Sequence, residues 1–150
     1  MRRREMFKSA LRGVLVGAGA LVGLRPTAAA ATTDSGRPKV VYHLADADKV
    51  SFVLSNIHNH FEGTNGNVDI VLVVHGPALA VFRTNGQGAG LSGRFANLTK
   101  SGLASFACSH TMRGMDISVG DLMPGFAVAE AGGVVKLAEL QAQGYAYLRP

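Results

Sequence analysis

The chain has few of the residues and motifs that most often reveal a function. It has one cysteine among 150 residues, Cys108, so no disulfide can form within the chain. No C-x-x-C or H-E-x-x-H motif occurs, which removes the usual signatures of a metal or dithiol site. No Walker loop occurs, and residues 86–90 are followed by Leu91 where a dinucleotide fingerprint needs its third glycine. Ser109 lacks the flanking glycines of a nucleophile elbow, so neither nucleotide enzymes nor hydrolases gain support.

The N-terminus has the pattern of an export signal, predicted to occupy residues 1–31. Paired arginines begin a basic cluster, and a weakly apolar stretch over residues 11–24 follows that is too short to span a bilayer. Small residues at positions 27–31 supply a cleavage site. The pattern predicts a twin-arginine signal, a periplasmic destination and, after cleavage, no stable membrane span. A Sec signal or an amphipathic anchor is the alternative, and residues 32–38 are expected to form a flexible tether.

The charge of the chain is concentrated in this leader. The whole chain has a formal charge of +5, but residues 1–31 contain six of the 15 basic residues and one of the 10 acidic ones. The rest therefore has nine of each and a net charge near zero. It shows no basic stripe of the kind that a nucleic-acid surface needs, so no nucleic-acid partner is predicted. The mature part is long enough for one domain with its own core.

Short apolar runs alternate with amphipathic segments along residues 39–150, which predicts β-α-β units and a mostly parallel sheet in an α/β domain. Residues 68–74 are rich in β-branched side chains, as expected for a central strand covered on both faces. Strands are predicted at residues 40–44, 68–74, 103–108, 126–129 and 145–148. The first helix, capped by Asp46 or Asp48, is predicted to have a buried stripe formed by Val50, Val53, Leu54, Ile57 and Phe61. Further helices are predicted at residues 78–82, 91–98, 116–123 and 133–143.

Candidate functional side chains stand at the ends of the predicted strands. His43 lies near the end of the first strand, His75 at the end of the second and Cys108 at the end of the third, with His110 close behind. Because the carboxyl ends of parallel strands share one edge of the sheet, these groups are expected to converge there. A neighbouring imidazolium or the amides of a helix N-terminus would lower the thiol pKa. A buried structural cysteine, with histidines that bond backbone carbonyls, is the alternative interpretation.

Residues 109–111, which follow the thiol, are predicted to form a polar turn. The two remaining histidines, His58 and His60, are two positions apart on the first predicted helix and do not share a face. We interpret both as facing solvent.

Four segments of the sequence resemble the DsrE/DsrF-like proteins of the sulfur-relay superfamily. They are KVVYH, VVHG, FACSHTM and LQAQGYAYLRP, within a resemblance that runs over residues 39–150. The resemblance implies a three-layer α/β/α domain with a five-stranded, mainly parallel sheet that assembles into trimers or hexamers. Members with a cysteine at the position of Cys108 are associated with carrying sulfur as a persulfide, and no cofactor is implied. The turn after the thiol is often Asn-Thr in similar proteins, whereas it is His110-Thr111 here.

The predicted function is a periplasmic sulfur carrier, with Cys108 as the persulfide site and His110, His75 and His43 as candidates for tuning the thiol. Sulfur donor and acceptor proteins are the predicted partners, because a single thiol needs another molecule to complete each cycle. A carrier is therefore favoured over an independent enzyme. Two alternatives stay open: a non-catalytic oligomeric binding module in which Cys108 is structural, and a copper or zinc site formed by Cys108 with one or more of the three histidines.

Overall fold

The computed structural model describes residues 36–85 and 89–150. The predicted signal peptide, residues 32–35 of the predicted tether and residues 86–88 lie outside the described residues. Five strands form one sheet: β1 (Lys39–Leu44), β2 (Asp69–Val74), β3 (Ala104–Cys108), β4 (Phe126–Ala129) and β5 (Ala146–Leu148). The helices are α1 (Val50–Gly63), α2 (Ala78–Val81), α3 (Ala89–Lys100), α4 (Ser109–Gly114) and α5 (Gly133–Ala142).

The sheet is parallel throughout, with the strand order β4-β3-β2-β1-β5. β2 lies at its centre and is buried at every position after Asp69, as its run of β-branched residues predicts. Within residues 36–85 and 89–150, β5 pairs with β1 alone and is exposed along its whole length, which makes it an edge strand. The predicted five-stranded parallel α/β fold is confirmed.

Helices cover both faces of the sheet. The apolar stripe of α1 is buried at all five predicted positions, and it packs with α2 and α3 against the side chains of Val40, Tyr42 and Leu44 on one face. On the opposite face, Leu137 and Leu140 of α5 pack against Val41, Val71 and Val73. Because side chains alternate along a strand, the two sets belong to two cores separated by the sheet. The result is the three-layer α/β/α arrangement.

Local structure differs from the prediction on both sides of α4. Residues 109–111 are not a free turn, because α4 begins directly at Ser109 and Cys108 precedes its first residue. The predicted helix over residues 116–123 is wrong, since only a 3-10 turn at Val119–Asp121 forms there. Asp116 adopts a left-handed backbone with φ of 51°, which ends helical geometry. The side chain of Asp121 then accepts hydrogen bonds from the backbone and hydroxyl of Ser118 at 2.8 and 2.7 Å, which stabilises the short turn.

His58 and His60 differ in environment. His58 is exposed as predicted, but His60 is half-buried, and its Nδ1 hydrogen-bonds the hydroxyl of Tyr42 at 3.0 Å. The interpretation of His60 as facing solvent is therefore wrong. The sequence pattern missed the contact because it joins a helix to a strand that lies 18 residues away.

No helix among the described residues is both long enough and apolar enough to cross a membrane.

Candidate functional site

Cys108 ends β3 at the edge of the sheet where the carboxyl ends of the strands meet. Cys108 is 6% exposed, and it lies in the wall of a cavity of about 360 Å³. The other lining residues come from the loop after β2, from α4 and from the start of α5: His75, His110, Thr111, Ala131, Gly132, Gly133, Val134 and Val135. The structure thus brings Cys108, His75 and His110 around one cavity. Because the thiol is recessed, a small molecule or a projecting segment can reach it, whereas a flat protein surface cannot.

Backbone and hydroxyl donors near the sulfur of Cys108 set the direction of its pKa shift. Burial acts to raise the pKa of the thiol, but the backbone N–H groups of Thr111, Gly133 and His110 and the hydroxyl of Thr111 outweigh it, and the pKa is lowered from its ordinary value. Each of these groups favours the thiolate, because hydrogen bonds to a charged form stabilise that form. We call these four groups the thiol cradle. No histidine ring belongs to it.

Thr111 is fixed in place by a further hydrogen bond. Its Oγ1 accepts from the backbone N–H of Gly76 at 3.0 Å, so the hydroxyl proton remains available for the sulfur of Cys108. Gly76 has a left-handed φ of 60° and follows His75 at the end of β2. The loop after β2 therefore orients the side chain that activates the thiol at the end of β3.

Two glycines allow the start of α5 to approach the thiol. A Cβ atom on Gly133 would lie 3.2 Å from the Cβ of Cys108, 3.6 Å from its Sγ and 3.5 Å from the Cβ of His75. A Cβ on Gly132 would lie 2.7 Å from Cδ2 of His110, and the φ of 101° there disfavours other residues. The close approach puts the N–H of Gly133 within reach of the sulfur.

His110 stands at the rim of the cavity. Its side chain is exposed, and its Nδ1 accepts a hydrogen bond from the guanidinium of Arg113 at 2.8 Å. Because a guanidinium only donates, the neutral ring carries its proton on Nε2. His110 therefore contributes its backbone N–H to the thiol cradle and its ring to the cavity mouth.

His43 and His75 bond to each other beside the cavity. Their Nε2 atoms share a hydrogen bond, and the rings are nearly parallel, with an interplanar angle of 17°. Nδ1 of His43 is bonded to the hydroxyl of Tyr147 on β5, at 2.5 Å. Of these three residues only His75 lines the cavity, so His43 lies one layer behind it.

Burial lowers the pKa of both histidines. For His43 the charges of His75 and Arg149 lower the pKa further and Asp46 opposes them. The resulting pKa of His43 is about 4. The pKa of His75 is lowered by burial and by Arg149, again opposed by Asp46. Both rings are therefore neutral at neutral pH. Among the described residues, no group of three or more histidine, cysteine or carboxylate side chains is placed to hold a metal ion.

Sequence reasoning missed Thr111, Gly132, Gly133 and Tyr147. Thr111 carries the only local signal, since a hydroxyl three residues after a strand-end cysteine falls in the first turn of the helix that follows. The glycines and Tyr147 reach the site through tertiary contacts across 22 to 104 residues of chain. No spacing rule connects residues so far apart.

The fold and the site define a class of protein: a parallel α/β domain with a single thiol activated by backbone amides at the carboxyl edge of its sheet. The sequence model of the DsrE/DsrF-like family matches residues 28–150, and the chain belongs to that family. Sulfur relay is the general role of the family.

Two solved structures are similar to the chain. A protein of unknown function, MTH1491 from Methanobacterium thermoautotrophicum, is 30% identical, with a TM-score of 0.68 over 75% of this chain and 99% of its own. The YchN protein of E. coli is 21% identical, with a TM-score of 0.58 over 75% of this chain and 99% of its own. At that identity the second likeness shows the fold alone. No curated protein matches the chain.

The side-chain part of the thiol cradle gives a first testable expectation. Replacing Thr111 with valine keeps the shape but removes the hydroxyl that donates to Cys108. We expect alkylation by iodoacetamide at neutral pH to slow about tenfold, because a hydrogen bond to a charged group is worth about 1.5 kcal/mol. The midpoint of the pH profile of alkylation should move to higher pH. Thr111→Ser keeps the hydroxyl and should react like the wild type, and equal profiles for the valine variant and the wild type would remove Thr111 from the cradle.

Proposed function

We propose that the protein is a periplasmic sulfur carrier that holds sulfane sulfur as a persulfide on Cys108. The thiol cradle is the observation that carries this proposal, because its four donors lower the thiol pKa and so stabilise a thiolate that must form and leave repeatedly. Membership of a family that generally acts in sulfur relay supports it. The twin-arginine pattern in residues 1–31 supports the periplasmic location.

The chemistry follows from a stabilised thiolate beside a cavity. The thiolate of Cys108 attacks the outer sulfur of a donor persulfide, R–S–SH, and a new S–S bond forms. The bond between the two donor sulfurs breaks, its electron pair leaves on R–S⁻, and Cys108 becomes Cys–S–SH. An acceptor thiolate reverses the sequence and leaves Cys108 as the thiolate, stabilised again by the cradle. No net oxidation occurs, so no cofactor is required.

Donor and acceptor must be other molecules, because the chain has a single cysteine. We propose proteins with a thiol on a projecting segment as partners, since Cys108 is recessed in its cavity. His110 at the rim and His75 in the wall would contact such a segment, while His43 acts through His75. A homo-oligomer, a trimer or hexamer, is part of the proposal and is supported by exposed apolar side chains that lie outside the core and outside the cavity lining: Phe52, Val119 and Leu148.

The direct test is the mass of the loaded protein. Exposure of the purified protein to sodium polysulfide should add about 32 Da, the mass of one sulfur, and a reducing agent should remove it. Cys108→Ala should gain nothing, because the chain has no other thiol. A wild-type protein that gains no reducible adduct would contradict the carrier function.

The low exposure of Cys108 favours one competing function, an oligomeric binding module in which the cysteine is structural. Alkylation with and without denaturant separates the two. A carrier reacts in the folded state, and at the same pH its folded form reacts faster than its denatured form. A binding module reacts only once the chain is unfolded.

A further inference from the structure

A line of three hydrogen-bonded side chains runs from the edge of the sheet to the thiol cavity. Tyr147 lies on the edge strand β5 and is 40% exposed. Its hydroxyl bonds Nδ1 of His43 at 2.5 Å, and Nε2 of His43 bonds Nε2 of His75. The side chain of His75 lines the cavity that also contains Cys108. The line therefore connects solvent at the sheet edge with the cavity wall.

The line has two proton arrangements that differ at its inner end. In the first, His75 donates from Nε2 to His43, His43 donates from Nδ1 to Tyr147, and Nδ1 of His75 has no proton. In the second, Tyr147 donates to His43, His43 donates to His75, and Nδ1 of His75 carries a proton. Both rings are neutral in both arrangements. No described residue hydrogen-bonds Nδ1 of His75, which leaves that atom without a partner in a residue that lines the cavity.

The surroundings keep the line in these neutral forms. Burial lowers the pKa of both histidines, and the positive charge of Arg149 outweighs the opposing Asp46, with which it forms an ion pair at 3.5 Å. A histidine that kept an extra proton would be charged, which burial and Arg149 disfavour. A histidine that accepts one proton and passes another on stays neutral. The geometry suits transfer of a proton through the line more than its storage.

We propose that Tyr147, His43 and His75 form a proton relay that serves sulfur transfer at Cys108. This inference rests on the proposed carrier function. His75 is the group that meets the reacting thiol, and His43 and Tyr147 are positioning residues that act through it. The acceptor thiol of a partner molecule, R–SH, is the chemical class from which the relay takes its proton.

The proton balance of unloading is as follows. The proton of R–SH moves to Nδ1 of His75, the Nε2 proton of His75 moves to His43, the Nδ1 proton of His43 moves to Tyr147, and the Tyr147 proton leaves to water. The resulting R–S⁻ attacks the outer sulfur of Cys108–S–SH, giving R–S–SH and the Cys108 thiolate. Loading runs the relay backwards, because the departing donor thiolate takes the proton from Nδ1 of His75. One full cycle restores the first arrangement.

Tyr147→Phe tests the relay by removing only its outer hydroxyl. The protein is loaded with polysulfide, and the loss of the persulfide mass to N-acetylcysteine is followed from about pH 6 to pH 8 in H₂O and D₂O. We expect unloading to slow at least about tenfold, since positioned proton transfer contributes about 10²–10⁴-fold in enzymes. The solvent isotope effect should also change. Alkylation of unloaded Cys108 should keep its pH profile, because Tyr147 does not belong to the thiol cradle.

Tyr145→Phe is the matched control. Tyr145 is partly buried two residues earlier, and no described residue hydrogen-bonds its hydroxyl, so its variant should unload like the wild type. His43→Gln gives a second interruption of the line and should slow unloading in the same way. If the wild type unloads and both Tyr147→Phe and His43→Gln unload at the wild-type rate, the relay is refuted. A wild type that never loads refutes the carrier function instead.

Discussion

Replacing Gly133 with valine is expected to slow alkylation of Cys108 at neutral pH about tenfold and to reduce the free energy of unfolding by about 1–3 kcal/mol. A Cβ alone would lie 3.2 Å from the Cβ of Cys108 and 3.5 Å from that of His75, and valine adds two methyl groups to it. The first turn of α5 must then move away from β3. The N–H of Gly133 loses its contact with the sulfur, so the pKa of the thiol rises while the packing of α5 on the sheet weakens.

The experiment combines a pH profile of alkylation with urea denaturation. Gly93→Val is the matched control, since a Cβ at Gly93 in α3 meets nothing within 4 Å. This control should keep the wild-type alkylation profile, and any change in its stability reports helix propensity alone. Loss of stability in Gly133→Val without a change in alkylation would show that the approach of α5 serves packing and not the thiol.

Acidification is expected to destabilise the protein through His43 before most carboxylates are protonated. The pKa of His43 falls from 6.5 in a free side chain to about 4 in the fold, chiefly through burial and then through His75 and Arg149. Between these values the unfolded chain binds a proton that the folded chain does not, so stability falls as the pH drops through this window. Above about 6.5 and below about 4 the contribution of His43 does not vary.

The expected loss is roughly 2 kcal/mol. The full shift would be worth about 1.36 kcal/mol per pKa unit, and we reduce it because the exposed Tyr147 admits solvent beside the ring, which screens its charge. His75 adds to the effect, since its pKa is lowered too. Urea denaturation at about pH 7, 5.5 and 4.5 measures the loss.

Two variants isolate the contribution of His43. His43→Gln should flatten the fall in stability across the window, because glutamine does not titrate and its amide can still bond Tyr147. His58→Gln changes an exposed histidine on α1 and should leave the fall intact. Parallel curves for the wild type and His43→Gln would show that the acid sensitivity arises elsewhere.

The sequence was informative wherever a pattern was local. The β-branched run of β2 and the apolar stripe of α1 are periodic signals that packing then confirms, because the same burial creates both pattern and structure. The convergence of His75 and Cys108 followed from one property of parallel sheets: the carboxyl ends of their strands share one edge. These features were sufficient for the fold and for the approximate place of the site.

The sequence was least informative where contacts join distant segments. A helix over residues 116–123 was predicted, but the left-handed backbone of Asp116 does not allow it to begin there, and only a 3-10 turn forms. Gly133 acquires its role only because α5 returns across the sheet to β3, and Tyr147 only because β5 pairs with β1. Imidazole rings and the amides of a helix N-terminus were both predicted sources of thiol tuning, and the donors near the sulfur are main-chain amides, two of them in the first turn of α4, and one hydroxyl. Backbone N–H groups are present at nearly every residue, so no residue type marks them in advance.

Three of the four donors in the thiol cradle belong to the main chain. The reactivity of the sulfur therefore depends mainly on the backbone conformation around it. The side chains at the mouth of the cavity can vary without removing that reactivity. His110, Val134 and Val135 are positions where a protein engineer could change which molecules are admitted while the nucleophile behind them keeps its character.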